Sequence, residues 1–445
     1  MKSKSFGISI PFLILFAVIQ FPVKLAVFPA FTQIYVYLLP LAYLVYRWRW
    51  VKDRILGFWG SFSFLGAVLF IFSFIISAIW PVIFGTWDFS FIEEYWSRFF
   101  IVFLKNVFLY CFYDIEIAKG KGTVENYFLY FFGSIILYVA FTGVTVLFPG
   151  VRNIAMKVFY LSESDLINLA NDEYVTRFGW SGWSGFDETM RCSFGVLLGC
   201  IFMVYTEQEK KENLYLILSF LMFAGTLFYG RTGLFACLAI FFLTGVLAVW
   251  KKKTRLIKKF LGIFTIGVVA LIVLYVTVPA IRSWFNWAFS AFFNLFTSGS
   301  FLDDTGSMQR LTEDMYWIPG VKTIFFGDAR YANADGTYYM HTDTGLMRHM
   351  LFFGIINYII EVIASFIIIQ SAVGRFGNHF QINRKEQYFL MFIFVVALGL
   401  FEFKGESLNK LVCLLAPLLL DRSAAVVDLK FWPRKLKKGL KHGKE

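Results

Sequence analysis

Between residues 214 and 250 the chain carries a single charge, Arg231, flanked by apolar runs at 214–230 and 232–250. At about 1.5 Å of helix rise per residue, each run reaches or nearly reaches across a hydrocarbon core of roughly 30 Å. Such runs fold as helices, because lipid offers no partner for an open backbone N–H or C=O. Gly230 and Gly233 on either side of the arginine let the chain reverse with almost no loop. A guanidinium held there sits at the bilayer rim, and an ionisable group in that position is a functional-site candidate.

The rest of the chain repeats the pattern. Hydrophobic residues make up 58% and charged residues 16% of the 445, so the fold class is an all-α polytopic membrane protein, one integral membrane domain over residues 1–445. Twelve apolar runs are candidate transmembrane helices: 6–23, 27–46, 55–84, 98–113, 125–149, 188–206, 214–230, 232–250, 260–280, 346–373, 388–403 and 409–420. The first is expected to be retained, since no small-residue cleavage site follows it. With both termini cytoplasmic, the inner segments hold 27 of the 42 Lys and Arg, as the positive-inside rule requires. The formal charge of +12 therefore reads as topology and as attraction of a basic cytoplasmic tail, 421–445, to anionic lipid, not as nucleic-acid binding. Cys111, Cys192, Cys200, Cys237 and Cys413 lie in or at the ends of apolar runs, which argues against a disulfide framework.

The two sides differ in the kind of cation. The inner 27 are 19 Lys and 8 Arg, whereas the outer side carries nine Arg and five Lys. Lysine suffices to set topology; arginine is the residue that grips phosphate or carboxylate with a planar fork. Two outer loops carry most of the candidates. Loop one, 150–187, should contain a surface helix capped by Ser162 or Ser164, with Leu166, Leu169, Ala170 and Tyr174 as its apolar stripe. It ends Arg177-Phe-Gly-Trp-Ser-Gly-Trp-Ser-Gly-Phe-Asp187, four residues before Arg191. The tryptophans suit either stacking on sugar rings or an interfacial aromatic belt.

Loop two, 281–345, should hold a short helix over 307–318 with Arg310 on it, stopped by Pro319-Gly320, and a tight turn at Asp335-Gly336. It closes at His341-Thr-Asp343-Thr-Gly-Leu-Met-Arg348-His349, where Thr342 or Asp343 should N-cap the tenth span. His341, Asp343 and His349 are metal-ligand types, but their spacing has no coordination rationale, so no metal is expected. Lys105 and Glu361 lie deeper, and the structural reading is a mutual pair that fixes helix packing; a proton or ion path is the alternative.

Taken in order, Gly230-Arg231-Thr232-Gly233, Ser307-x-x-Arg310, Phe326-Gly327-Asp328 and Thr342-Asp343-Thr344-Gly345-Leu346 with Gly354-Ile355 resemble the O-antigen polymerase (Wzy-type) family of bacterial membrane proteins. The resemblance covers residues 215–365. It implies a GT-C-like membrane glycosyltransferase in the bacterial plasma membrane, without metal or cofactor. Such an enzyme joins oligosaccharide repeat units carried on undecaprenyl diphosphate at the outer face, with the bilayer and a chain-length regulator as partners. Arg231, Arg310 and Arg348 would then bind the departing diphosphate, with Arg177 and Arg191 in support and Gly230 and Gly233 shaping the site. Asp343, and after it His341, would take the acceptor's proton. The rivals are an O-antigen ligase, which moves finished polymer to lipid A core, and a flippase of lipid-linked sugar. Asp343, not a histidine, stands eleven residues before Gly354, which favours polymerase over ligase; no internal duplication supports a transporter.

Overall fold

The computed structural model describes residues 8–58, 61–170, 174–297 and 314–421. Arg310 with its Ser307-x-x-Arg310 stretch, most of the 307–318 helix and the basic tail beyond Asp421 lie outside the described residues. Among the described residues, eight helices are long and apolar enough to cross a membrane. They are Phe62–Ile83, Val124–Leu147, Phe186–Tyr205, Glu209–Tyr229, Arg231–Trp250, Thr254–Thr277, Gly345–His379 and Arg384–Lys404. The other four expected spans are shorter or interrupted. Ile10–Gln20 has 11 residues, and 31–46 and 97–112 are joined to π-helical turns at Ile34–Leu38, Ile92–Trp96 and Tyr113–Ile117. The last expected span divides into Leu408–Leu414 and Ala416–Leu420. Each π turn inserts a residue into the 3.6-residue register, and Pro417 near the start of the final piece lacks the N–H that would continue the ladder.

The centre of the bundle is the Phe186–Tyr205 helix, buried from Thr189 to Tyr205. Small residues let its neighbours close on it: Gly195 faces Met222 and Ile135, Gly199 faces Ser219, and Cys192 faces Gly225. A second seam joins Phe62–Ile83 to Gly345–His379. There Ser63, Gly66, Phe70, Ser73 and Ser77 form a buried stripe at three- and four-residue spacing, and a Cβ on Gly66 would lie 2.8 Å from Ile368. By contrast, the membrane window of Thr254–Thr277 has no buried residue. All five cysteines are free and buried.

The Gly345–His379 helix is broken at Gly354, whose φ is +78°. A break frees carbonyls, and these are taken by another part of the chain: Asp328 N–H donates to Leu351 O (2.6 Å) and Ala329 N–H to Phe352 O (2.9 Å). The approach is so close that a Cβ on Gly354 would strike the Phe325 carbonyl, and one on Gly327 (φ +69°) the Phe352 carbonyl. Two motifs about 27 residues apart in sequence are thus one backbone contact. The segment is also tied to the first long helix and the turn after it, because Trp80 Nε1 donates to Phe326 O (2.6 Å) and Thr86 Oγ1 to Ala329 O (2.6 Å).

Charges lie mainly in two layers. At one end Arg54 pairs with Asp114 (2.6 Å), Lys211 with Glu125, Lys251 with Glu386 and Lys259 with Glu212 (3.0 Å each). At the other end lie Arg231, Arg348, Asp343 and the two long loops. Ser162 caps the loop-one helix Glu163–Leu169 in a reciprocal capping box with Asp165, although of the expected stripe only Leu169 is buried. The loop-two turn forms over Asn333–Gly336, with Asn333 N–H donating to Thr337 O (2.8 Å). Two expectations fail. The tenth span begins at Gly345 with Thr344 as its N-cap and no side-chain cap bond, because the Thr342 hydroxyl is committed to Met315 O (3.0 Å) and Asp343 to Lys404. Lys105 does not pair with Glu361, which bonds instead to Ser73 and Tyr95; the charges around Lys105 are Arg191, Asp187, Glu188 and Lys24.

Candidate functional site

Arg231 is the first residue of its helix, and the reversal expected from sequence happens across Gly230 alone. Gly230 has φ 176°, an extended conformation open to any residue, so its glycine is needed for space. A Cβ there would sit 3.1 Å from the Thr189 hydroxyl, and Gly233 is crowded by Thr189, Thr226 and Ser193. Packing on Thr189 thus fixes where the helix starts and where Arg231 leaves it.

The guanidinium of Arg231 lies over the indole of Trp287, 4.3 Å from its centroid, and Nη1 donates to Ser290 Oγ at 3.2 Å. Trp287 belongs to the short Pro279–Ala288 helix at the start of loop two, anchored by Trp284, which is buried against Phe228. Arg177, from loop one, meets the same indole: its guanidinium is 5.2 Å from Trp287, 5.0 Å from Tyr174 and 5.5 Å from Trp183. Tyr174 packs edge-on against both tryptophans. The Gly-Trp-Ser segment that delivers Trp183 is a β-hairpin, Phe178–Gly179 paired with Gly182–Trp183, and Tyr138 OH ties it down through Ser181 and Ser184. Trp180 of the same hairpin donates its indole N–H to Phe21 O (2.7 Å), so it belongs to the packing.

Two cations thus converge on one aromatic face. Burial pushes Arg177 down to about 10; Tyr174 opposes the shift and the like charge of Arg231 adds to it, yet the group stays charged at neutral pH. Among the described residues no carboxylate lies within 4.0 Å of Arg177, and its Nε is buried without a hydrogen-bond partner. Cation–π contacts hold both guanidiniums at the same indole, and Arg231 is further fixed by its bond to Ser290. The arrangement is suited to an anion with several oxygens.

Three other expected site residues, Arg348, Arg191 and Asp343, are committed to partners of their own. Arg348 is clamped between Tyr331 and Tyr338, 3.8 Å from each ring centroid, and bonds Glu406 at 3.2 Å with Glu94 at 3.7 Å. Arg191 pairs with Glu188 at 3.2 Å. Asp343 receives both its contacts from Lys404 Nζ, 2.9 Å to each oxygen. His341 is exposed at a short turn with φ +57°. His349 is fully buried among Phe91, Tyr95 and Phe353, so His341, Asp343 and His349 do not assemble.

Sequence reasoning passed over Trp287, Glu406 and Lys410. Trp287 stands in Trp284-x-x-Trp287, a helical spacing inside a segment read as loop. Glu402, Lys404 and Glu406 flank Gly405 between two apolar runs, the same charge-beside-glycine signal that drew attention to Arg231. Lys410 pairs with Asp187 at 2.8 Å, joining the ends of two helices 223 residues apart. No protein-family model, curated protein or solved structure matches the chain.

Proposed function

We propose that the chain is a polysaccharide polymerase of the membrane-embedded glycosyltransferase kind. On this reading it crosses the bacterial plasma membrane twelve times in a GT-C-like fold, with both termini cytoplasmic. It joins oligosaccharide repeat units carried on undecaprenyl diphosphate at the outer face. The observation that supports this best is the convergence of Arg177 and Arg231 on Trp287. In the transfer, the acceptor hydroxyl attacks the anomeric carbon as the bond to the diphosphate oxygen breaks, inverting the centre. Charge develops on the departing diphosphate, where two preoriented guanidiniums stabilise it. The acceptor's proton passes to Asp343, which is paired with Lys404, with His341 the second candidate. Arg310, Arg348 and Arg191 would support the surrounding field.

The test is elongation of a lipid-linked repeat unit by the protein in proteoliposomes. Removing one donor to a developing oxyanion costs about 10²–10³ in rate, so Arg231→Ala and Arg177→Ala should each lose elongation on that scale. Arg231→Lys should recover little, since an ammonium lacks the fork. Normal chain lengths from Arg231→Ala overturn the assignment of the site. Transfer to a different lipid acceptor would identify a ligase, and movement between leaflets without bond formation a flippase.

A further inference from the structure

Glu361 is the deepest charge-bearing residue on the Gly345–His379 helix that the mechanism above does not use. It is wholly buried, seventeen residues into that helix and opposite Ser73, the middle of Phe62–Ile83. Ser73 donates to its Oε1 at 2.5 Å and Tyr95 to its Oε2 at 2.7 Å. The nearest cationic candidate is His349, whose Nδ1 is 3.4 Å from Oε2; His349 is itself fully buried. The other ring nitrogen, Nε2, faces Oε1 of Glu406 at 4.0 Å. Neither nitrogen of His349 nor Oε1 of Glu406 has a hydrogen-bond partner, although all three are buried.

The charge balance around these groups is uneven. Arg348 neutralises Glu406. Glu402 is held by the backbone N–H groups of Ser407 and Leu408, both at 2.9 Å, at the start of the next helix. That leaves Glu361 and His349 facing each other, with hydroxyls of Ser73 and Tyr95, the amide of Asn357 (bonded to Ser73 at 3.0 Å) and the ring of Tyr358 around them. A bare carboxylate in that setting is costly, and so is an imidazolium beside a neutral acid; one proton held between the two removes both costs. A line of polar groups leads outward from it, through Glu406 and Arg348 to Glu94, whose side chain is 33% exposed.

We propose that Glu361 and His349 form a buried proton-binding site that exchanges its proton through Glu406 with the end of the bundle carrying Arg231. The ligand is a single proton, and the site stands whether or not the chain is a glycosyltransferase.

Infrared spectroscopy of the full-length protein in lipid nanodiscs tests this by following the C=O stretch of protonated carboxyl groups against pH. The wild type should show a buried protonated-carboxyl band that is lost as the pH is raised. Glu361→Gln, nearly isosteric, should remove that band. Glu406→Gln should keep it but slow its shift on transfer to D₂O. Nitrogen-15 NMR of His349 in the unmutated protein gives a readout independent of any variant's folding: its ring should change charge or tautomer at the pH where the band does. A band unchanged in a correctly inserted Glu361→Gln protein overturns the proposal, as does a His349 resonance that is constant across that titration.

Discussion

Replacing Gly354 by alanine tests the joint that holds loop two against the broken helix. The substitution adds one methyl group at φ +78°, ψ 171°, a region almost confined to glycine, where an L-residue incurs roughly 1–3 kcal/mol. That methyl also points at the Phe325 carbonyl and lies 2.6 Å from Phe326 N, and forced overpacking of this kind costs about 1–3 kcal/mol. If the two segments part to relieve it, the bonds from Asp328 and Ala329 N–H go instead, at about 0.5–1.5 kcal/mol each. The combined loss is therefore about 2–6 kcal/mol, a large share of the 5–15 kcal/mol that stabilises a typical domain. Unfolding in mixed detergent micelles measures it. The control is Gly374→Ala in the same helix, whose methyl meets nothing within 4 Å and which should be neutral or slightly stabilising. Gly327→Ala attacks the contact from its other side, so the double variant should cost at least about 1 kcal/mol less than the two single losses together. Equal stabilities for Gly354→Ala and Gly374→Ala, or full additivity with Gly327→Ala, refute the joint.

Asp88 accepts from the backbone N–H of Tyr331 (2.6 Å) and Ala332 (3.1 Å). Burial opposes its ionisation, but the Ser90 hydroxyl and those N–H groups outweigh it and hold the carboxyl below its ordinary range. The anchoring it provides is thus complete above the unfolded carboxyl's pKa of about 3.9 and is lost as pH falls through the lower folded value. Limited proteolysis of residues 314–340 should accelerate over that acid window in wild type, and Asp88→Asn should be cleaved readily at neutral pH too; a pH-independent wild-type rate counts against it. The half-exposed Asp343–Lys404 pair should contribute less than about 1 kcal/mol, so Asp343→Asn should unfold like wild type while slowing turnover in the elongation assay. Wild-type turnover by that variant places the base elsewhere.

Hydropathy located the eight long helices because a run without charges has one solution in lipid. It could not foresee the π turns within 31–46 and on either side of 97–112, since a π turn is a change of register set by packing partners, not by composition. Arg231 stood out because nothing charged surrounds it in sequence. Its company did not, for Trp287 and Arg177 come from the two loops, and only the fold carries a β-hairpin and a short helix to one indole. The expected pairing of Lys105 with Glu361 rests on scarcity alone, two charges deep in apolar runs. The chain supplies hydroxyls from Ser73 and Tyr95 to one and a cluster of mixed sign around the other. The Gly327 and Gly354 motifs both stand out in sequence, but only the break in the helix makes them one contact.

Thr254–Thr277 leads directly into the helix that carries Trp287, and none of its membrane window is buried. Its 24 residues make a rod of about 36 Å, whose uncharged part, 260–277, is about 27 Å long, close to a hydrocarbon core of about 30 Å. The lean of a lipid-clad rod follows bilayer thickness. One wall of the two-arginine cradle therefore hangs from a lever whose angle is set by the surrounding acyl chains, which makes lipid length a variable of the site itself.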